Sequence, residues 1–237
     1  MRLVVGITGA TGAVYGIRLL EVLRGHTDVQ THLVVSAPGK RTIVEETAYA
    51  LKDVEALATH HYDNKDIGAS IASGSFRTAG MVIAPCSIKS AGAIASCHTD
   101  SLIARAADVT LKEGRPLILL LRETPLHLGH LRCMAALAEM GAVILPPMPA
   151  FYTHPKDIDD IVNHTVARVL DRLNLPQALV AEWRGTNRLV KGEPGGRPLD
   201  RHPRLRRGGE SPAALGRAPG CARRTRARLR GGLRRRW

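Results

Sequence analysis

The 237-residue sequence predicts an α/β fold, a three-layer sandwich around a parallel sheet, on three observations. Its apolar runs are short and rich in Val, Ile and Leu, as strands covered on both faces are. Stretches of helical spacing separate them, giving the β/α alternation of parallel sheets. The length suits one well-buried domain with an extension and is short for two.

The elements follow in order. A strand over 3–8 runs into Gly6-Ile-Thr-Gly-Ala-Thr-Gly12 and a helix over 13–24. Such a loop brings backbone amides close to a phosphate or a flavin edge. The same string suits a short-chain dehydrogenase, and Tyr152-Thr-His-Pro-Lys156 supplies that family's YxxxK pattern. Pro155, however, is expected to start a helix, so Tyr152 and Lys156 would not share a helical face. The second strand, 31–35, ends at Ser36, a hydroxyl where a nicotinamide dinucleotide needs a carboxylate for its ribose. A helix over 38–47 comes next.

A third strand, 81–84, leads into Ala84-Pro-Cys-Ser-Ile-Lys-Ser90 and a helix over 88–95. Its hydroxyls and amides suit an anion at the helix mouth, with an ordinary N-cap role for Ser87 as the alternative. The helix over 102–112 carries Arg105, Asp108 and Lys112 on one stripe. That stripe is either a solvated face with an internal ion pair or, given Ala106, Ala107, Val109 and Leu111 around it, part of a buried helix facing a bound anion. Strand 117–121 ends at Arg122 and Glu123, and Pro125 is read as starting a helix over 126–140. His127 and His130, at i and i+3, lack a third ligand and read as surface or interface residues, so no metal is expected. The last strand, 142–145, opens into the stiff loop 146–155, whose Phe151 and Tyr152 could wall an apolar pocket. A helix over 155–173 follows and bears Arg168. Every motif lies at the carboxyl end of a strand, where open α/β sheets bind ligands.

The formal charge of +13 is localised. Residues 190–237 carry a net +12 and residues 1–189 only +1, so the basic pI says little about the folded part. The Arg-, Gly- and Pro-rich tail has no apolar periodicity and is expected to be disordered. It reads as an extension without function of its own. The alternative is an anionic-surface or RNA role, which the lack of interleaved aromatics disfavours, so no nucleic-acid partner is expected. Cysteines 86, 97, 133 and 221 form no CxxC pair, which fits a reducing cytoplasm. The apolar start is too short for a signal peptide, and no run is long enough to span a bilayer.

Taken together, GITGATGAVYG, Ser36 with Glu46 ten residues on, PCSIKS, ARAADVTLKEGRPL, LRETP and LPPMPAFYTHP followed by VARVL resemble the flavin prenyltransferases of the UbiX/Pad type. Within that family, SGSFRTAGM and PPMPAFY are similar to the B subunits associated with non-oxidative hydroxyarylic acid decarboxylases. The resemblance covers residues 1–184, leaving 185–237 as the tail. It implies the flavodoxin-like or Rossmann-like sandwich of the homo-oligomeric flavin-containing decarboxylases, assembled as a homododecamer. It also implies a metal-independent reaction in which dimethylallyl phosphate alkylates reduced FMN at N5 and the prenyl group closes on C6. Prenylated FMN would pass to a UbiD-type aromatic acid decarboxylase.

Carried over residue by residue, the resemblance makes Gly9, Ala10, Thr11, Ser36, Ser87, Ile88, Lys89, Ser90 and Arg122 contacts of FMN. Lys112, Tyr152 and Arg168 become prenyl-phosphate contacts with Arg105 nearby, Glu46 and Glu123 proton-transfer residues, and Trp183 an aromatic near the substrate. Lys112 is counted with the catalytic groups as well, because an allylic phosphate leaves without a metal only if cations stabilise it. One departure is His130-Leu-Arg132-Cys-Met134, where the family has an acidic or amide residue in an HLENM-like stretch. A non-catalytic FMN-binding or assembly subunit is the alternative reading.

Overall fold

The structure, a computed structural model, describes residues 1–182 and Gly185. Strand β1 (Arg2–Ile7) is followed by helix α1 (Ala13–Arg24), β2 (Gln30–Val35), α2 (Ala37–Glu46), the short α3 (Leu51–Glu55) and β3 (His60–Asp63). The second half comprises β4 (Gly80–Cys86), α4 (Ile88–Ala95), α5 (Leu102–Lys112), β5 (Leu117–Leu121), α6 (Leu128–Glu139), β6 (Val143–Ile144) and α7 (Ile158–Arg172). All six strands are parallel, in the order β3-β2-β1-β4-β5-β6. The five expected strands alone have flavodoxin-like order. The sixth, β3, extends it to the Rossmann order.

Pleating explains the apolar runs. Leu3, Val5, Ile7, Val82, Ala84, Ile118 and Leu120 enter one core with residues of α1 and α7. Val4, Met81, Ile83, Leu117, Leu119 and Leu121 enter the other with residues of α4, α5 and α6. Adjacent residues of a strand point to opposite faces, so runs of consecutive apolar residues are what two covered faces require.

Three expectations about boundaries are corrected. Strand β3 (HHYD) was not expected, because it is mostly exposed and has no apolar run. It exists through its pairing with β2. Pro125 and Pro155 do not start helices. His127 and Asp157 do, accepting hydrogen bonds from the amides of Gly129 and Asp160, because a side-chain acceptor satisfies first-turn N–H groups that proline only avoids. Tyr152 therefore sits in a 3-10 turn (Phe151–Thr153) and Lys156 precedes α7, so the YxxxK pair shares no helix.

His32 is 2% exposed on β2, with Nδ1 2.8 Å from the Tyr62 hydroxyl and Nε2 without a partner. Burial, aided by His60 and Arg2, pushes its pKa down to about 4. The unfolded chain takes this proton near pH 6.5 and the folded chain only near pH 4, so stability falls as pH drops through that window. The loss at its acid end is on the order of 3 kcal/mol. Thermal melts of His32→Phe at pH 4.5 and 7.5 are expected to differ less than those of the wild type, and an unchanged difference would count against this origin.

Among the described residues, no helix is long and apolar enough to cross a membrane. The sequence-stretch 190–237 and Trp183 lie outside the described residues.

Candidate flavin site

The chain winds from β1 outward through β2 and β3, then returns to begin β4 on the other side of β1. Beyond the carboxyl ends of β1 and β4 lies the switch point where such sheets open a crevice. Thr8 ties the two ends together, its hydroxyl donating to the Pro85 carbonyl at 2.8 Å and accepting from the Ser87 amide at 2.8 Å. A cavity of about 600 Å³ opens there.

Three helices point their N-termini into this cavity. Ser36 caps α2, accepting from the Gly39 amide at 3.1 Å. Ser87 caps α4, accepting from Ser90 at 3.3 Å, and Ser101 caps α5, accepting from Ala104 at 3.4 Å. Each terminus carries partial positive charge, and together they favour an anion. Lys89 and Arg122 add full charges, whereas Ile88, Ala93, Ile103 and Ala104 supply apolar wall. Such a mixture suits a flat ring bearing a phosphate. For Ser87, the cap and the cavity wall are one and the same residue. The Arg122 amide donates to the Cys86 carbonyl at 3.0 Å, which fixes Arg122 at the sheet edge. A Cβ on Gly9 would meet Pro38 Cβ at 2.2 Å, so glycine is what lets the first loop lie against α2.

All nine residues expected to touch FMN, namely Gly9, Ala10, Thr11, Ser36, Ser87, Ile88, Lys89, Ser90 and Arg122, line this cavity, and so does Glu123. Glu46 lies in an adjoining recess of about 450 Å³ that shares Thr11 and Arg122 with it. There its Oε2 accepts from the amides of Gly12 at 2.7 Å and Ala13 at 3.3 Å. The start of α1 is thus satisfied by a carboxylate, and the glycine loop offers the cavity only its Gly9–Thr11 portion.

The structure does not bring Arg105, Lys112, Tyr152 or Arg168 to the cavity of the same chain. Arg105 donates to the Ala72 carbonyl and pairs with Asp108 at 2.9 Å, and Lys112 pairs with Glu113 at 2.9 Å. The stripe on α5 is therefore satisfied by local ion pairs, as a solvated face would be. Residues of α5 at the cavity are Ile103 and Ala104 at its start, and Lys112 ends the helix, about 13 Å further along, beside the amino end of β5. Tyr152 and Arg168 are outside the cavity lining too, grouped through α7. Arg132 is exposed on α6, and the rings of His127 and His130 meet at a tilt of 35° with centroids 3.6 Å apart.

Sequence reasoning missed Asn64, Asp100 and Ser101. Ser101 before an apolar helix is a readable cap signal. Asn64 is not, since its Oδ1 accepts from the Ile103 amide at 3.1 Å, a contact 39 residues away.

The flavoprotein family model matches residues 1–170. The flavin prenyltransferase UbiX of Escherichia coli K12 is 58% identical over 186 residues, covering 78% of this chain and 98% of that protein. The chain belongs to the flavin prenyltransferase family. Two solved structures share the fold of this flavin prenyltransferase chain closely. A dodecameric FMN-dependent UbiX-like decarboxylase from Escherichia coli O157:H7 superposes with a TM-score of 0.77 at 52% identity, covering 78% of this chain and 100% of that one. AnUbiX (PadA1) in complex with FMN and dimethylallyl pyrophosphate gives 0.76 at 46% identity, covering 78% and 98%.

Proposed function

We propose that this flavin prenyltransferase binds reduced FMN in the switch-point cavity and transfers to it the dimethylallyl group of dimethylallyl phosphate. Prenylated FMN then serves a UbiD-type decarboxylase. The observation that carries this reading is the convergence of three helix N-termini, Lys89 and Arg122 on one cavity with an apolar wall. The allylic C–O bond breaks with its electron pair left on the phosphate oxygen, and the new C–N bond forms at N5. The proton released from N5 balances the charge gained by the phosphate. Ring closure is an isomerisation in which the prenyl double bond takes up a proton, the resulting cation bonds to C6, and C6 gives a proton back; Glu46 and Glu123 are the nearby carboxyl groups we assign to these transfers.

The leaving phosphate needs cations in a site shielded from water. Because Lys112 and Arg105 stand away from their own chain's cavity, we assign them to the cavity of a neighbouring subunit in a homododecamer like that of the Escherichia coli relative. Exposed Leu126, Leu128, Leu131, Phe151 and Ile158 support such an assembly. We assign residues 1–184 as the catalytic domain with Trp183 close to the substrate, and residues 185–237 as a dispensable tail. A cytoplasmic location fits the free thiols of Cys86, Cys97 and Cys133.

Anaerobic incubation with FMN, dithionite and dimethylallyl phosphate is expected to yield a flavin heavier by one prenyl group in mass spectrometry. A protein that binds FMN and yields none refutes the transfer. Arg122→Ala is expected to weaken FMN binding about thirtyfold in a fluorescence titration, the loss of a charge-assisted contact. Unchanged affinity would move FMN out of the cavity.

A further inference from the structure

We infer that His164 is a positioning residue for the leaving phosphate, acting through Tyr152. This rests on the reading of Tyr152 and Arg168 as prenyl-phosphate contacts. Nε2 of His164 lies 3.2 Å from the Tyr152 hydroxyl, and the two rings meet edge to face at 86° with centroids 5.9 Å apart. His164 and Arg168 are i and i+4 on α7 and share a face. One turn further, Asp171 Oδ2 accepts from Arg168 Nη1 at 2.8 Å. One row on α7 thus meets both expected phosphate donors, His164 touching Tyr152 and Asp171 pairing with Arg168.

The chemistry turns on a single hydrogen. A phenol has one O–H. When Nε2 of a neutral imidazole accepts it, the hydrogen is spent inside the protein. When Nε2 carries its own hydrogen and donates to the phenol oxygen, His164 no longer takes that O–H but polarises it for donation to the phosphate. His164 in the second state aims the Tyr152 hydroxyl at the oxygen that collects the electron pair of the breaking C–O bond. The edge-to-face contact holds the Tyr152 ring while this happens.

His164→Leu removes the N–H, His164→Gln retains one, and both leave the flavin cavity untouched. With the full-length protein, His164→Leu is expected to raise KM for dimethylallyl phosphate about tenfold with FMN affinity unchanged, the loss of one hydrogen bond to a charged group. His164→Gln is expected to recover most of that loss. In a Tyr152→Phe background, His164→Leu is expected to add nothing, because the hydroxyl it orients is gone. A role confined to holding α7 in place would still cost activity there. The inference falls if His164→Leu matches the wild type, if Gln rescues no better than Leu, or if the Leu penalty persists undiminished beside Tyr152→Phe. A wild type that makes no adduct sinks the transfer reading itself, and with it this inference. A wild type that turns over while Tyr152→Phe equals it removes only Tyr152 and His164.

Discussion

Lys112→Ala is expected to lower prenyl transfer at least about a hundredfold while FMN binds as before. Removing one preorganised charge from a site where charge develops has that effect, and the allylic phosphate departs without help unless cations meet it. In the folded chain Lys112 costs little to replace, since its pairing with Glu113 is half exposed and such pairs contribute about 1 kcal/mol or less. Expression, melting temperature and FMN titration should therefore match the wild type. The location of Lys112, at the far end of α5 from the cavity, makes a sharper test possible. If Lys112 serves a neighbour's cavity, an Arg122→Ala chain and a Lys112→Ala chain mixed before assembly regain activity, because some sites receive an intact Lys112 and an intact Arg122. Random equal mixing restores about a quarter of the sites. No recovery, with mixed assembly verified by mass, would place Lys112 and Arg122 in service of the same chain's site.

Gly16→Ala is expected to have the largest effect on stability. Gly16 lies on the α1 face against the sheet, where a Cβ would stand 2.2 Å from the Ala84 carbonyl oxygen and 2.9 Å from the Ile7 side chain. A backbone oxygen cannot swing aside, so α1 must lift off the ends of β1 and β4. Overpacking of this kind costs about 3 kcal/mol, a melting midpoint lower by about 10 °C. Thr8 and Pro85, whose hydrogen bond ties those strand ends at the cavity, directly follow Ile7 and Ala84, so FMN affinity should fall along with stability. Gly92 on α4 is the control. A Cβ there meets nothing within 4 Å, so Gly92→Ala should leave stability unchanged or raise it by up to about 1 kcal/mol of helix preference. Equal melting of the two variants would show that α1 tolerates being lifted.

That nine residues expected at FMN line one cavity was legible because each belongs to a short local signal: a glycine loop after a strand, a serine ahead of a helix, an arginine at a strand end. Local signals also carried the five apolar strands, whose runs declare that both faces are covered. The polar edge strand His60–Asp63 was illegible, since it depends on β2 for its hydrogen bonds rather than on its own side chains. The same is true of Glu46, which reads as a free carboxylate and in fact holds the amides of Gly12 and Ala13, 34 and 33 residues away.

By itself, then, the sequence determined the layered parallel sheet, the family and the residue types at the sheet's carboxyl edge, because periodicity and capping act over a few residues. Only the tertiary structure decided that the expected catalytic groups divide. Those at strand ends share one cavity, whereas Lys112, Arg105 and Arg168 sit on helices that carry them away from it, and Tyr152 lies in the turn before α7. A helix advances about 1.5 Å per residue, so a motif spread along it cannot tell from its spacing which end faces the ligand, or whose ligand it faces.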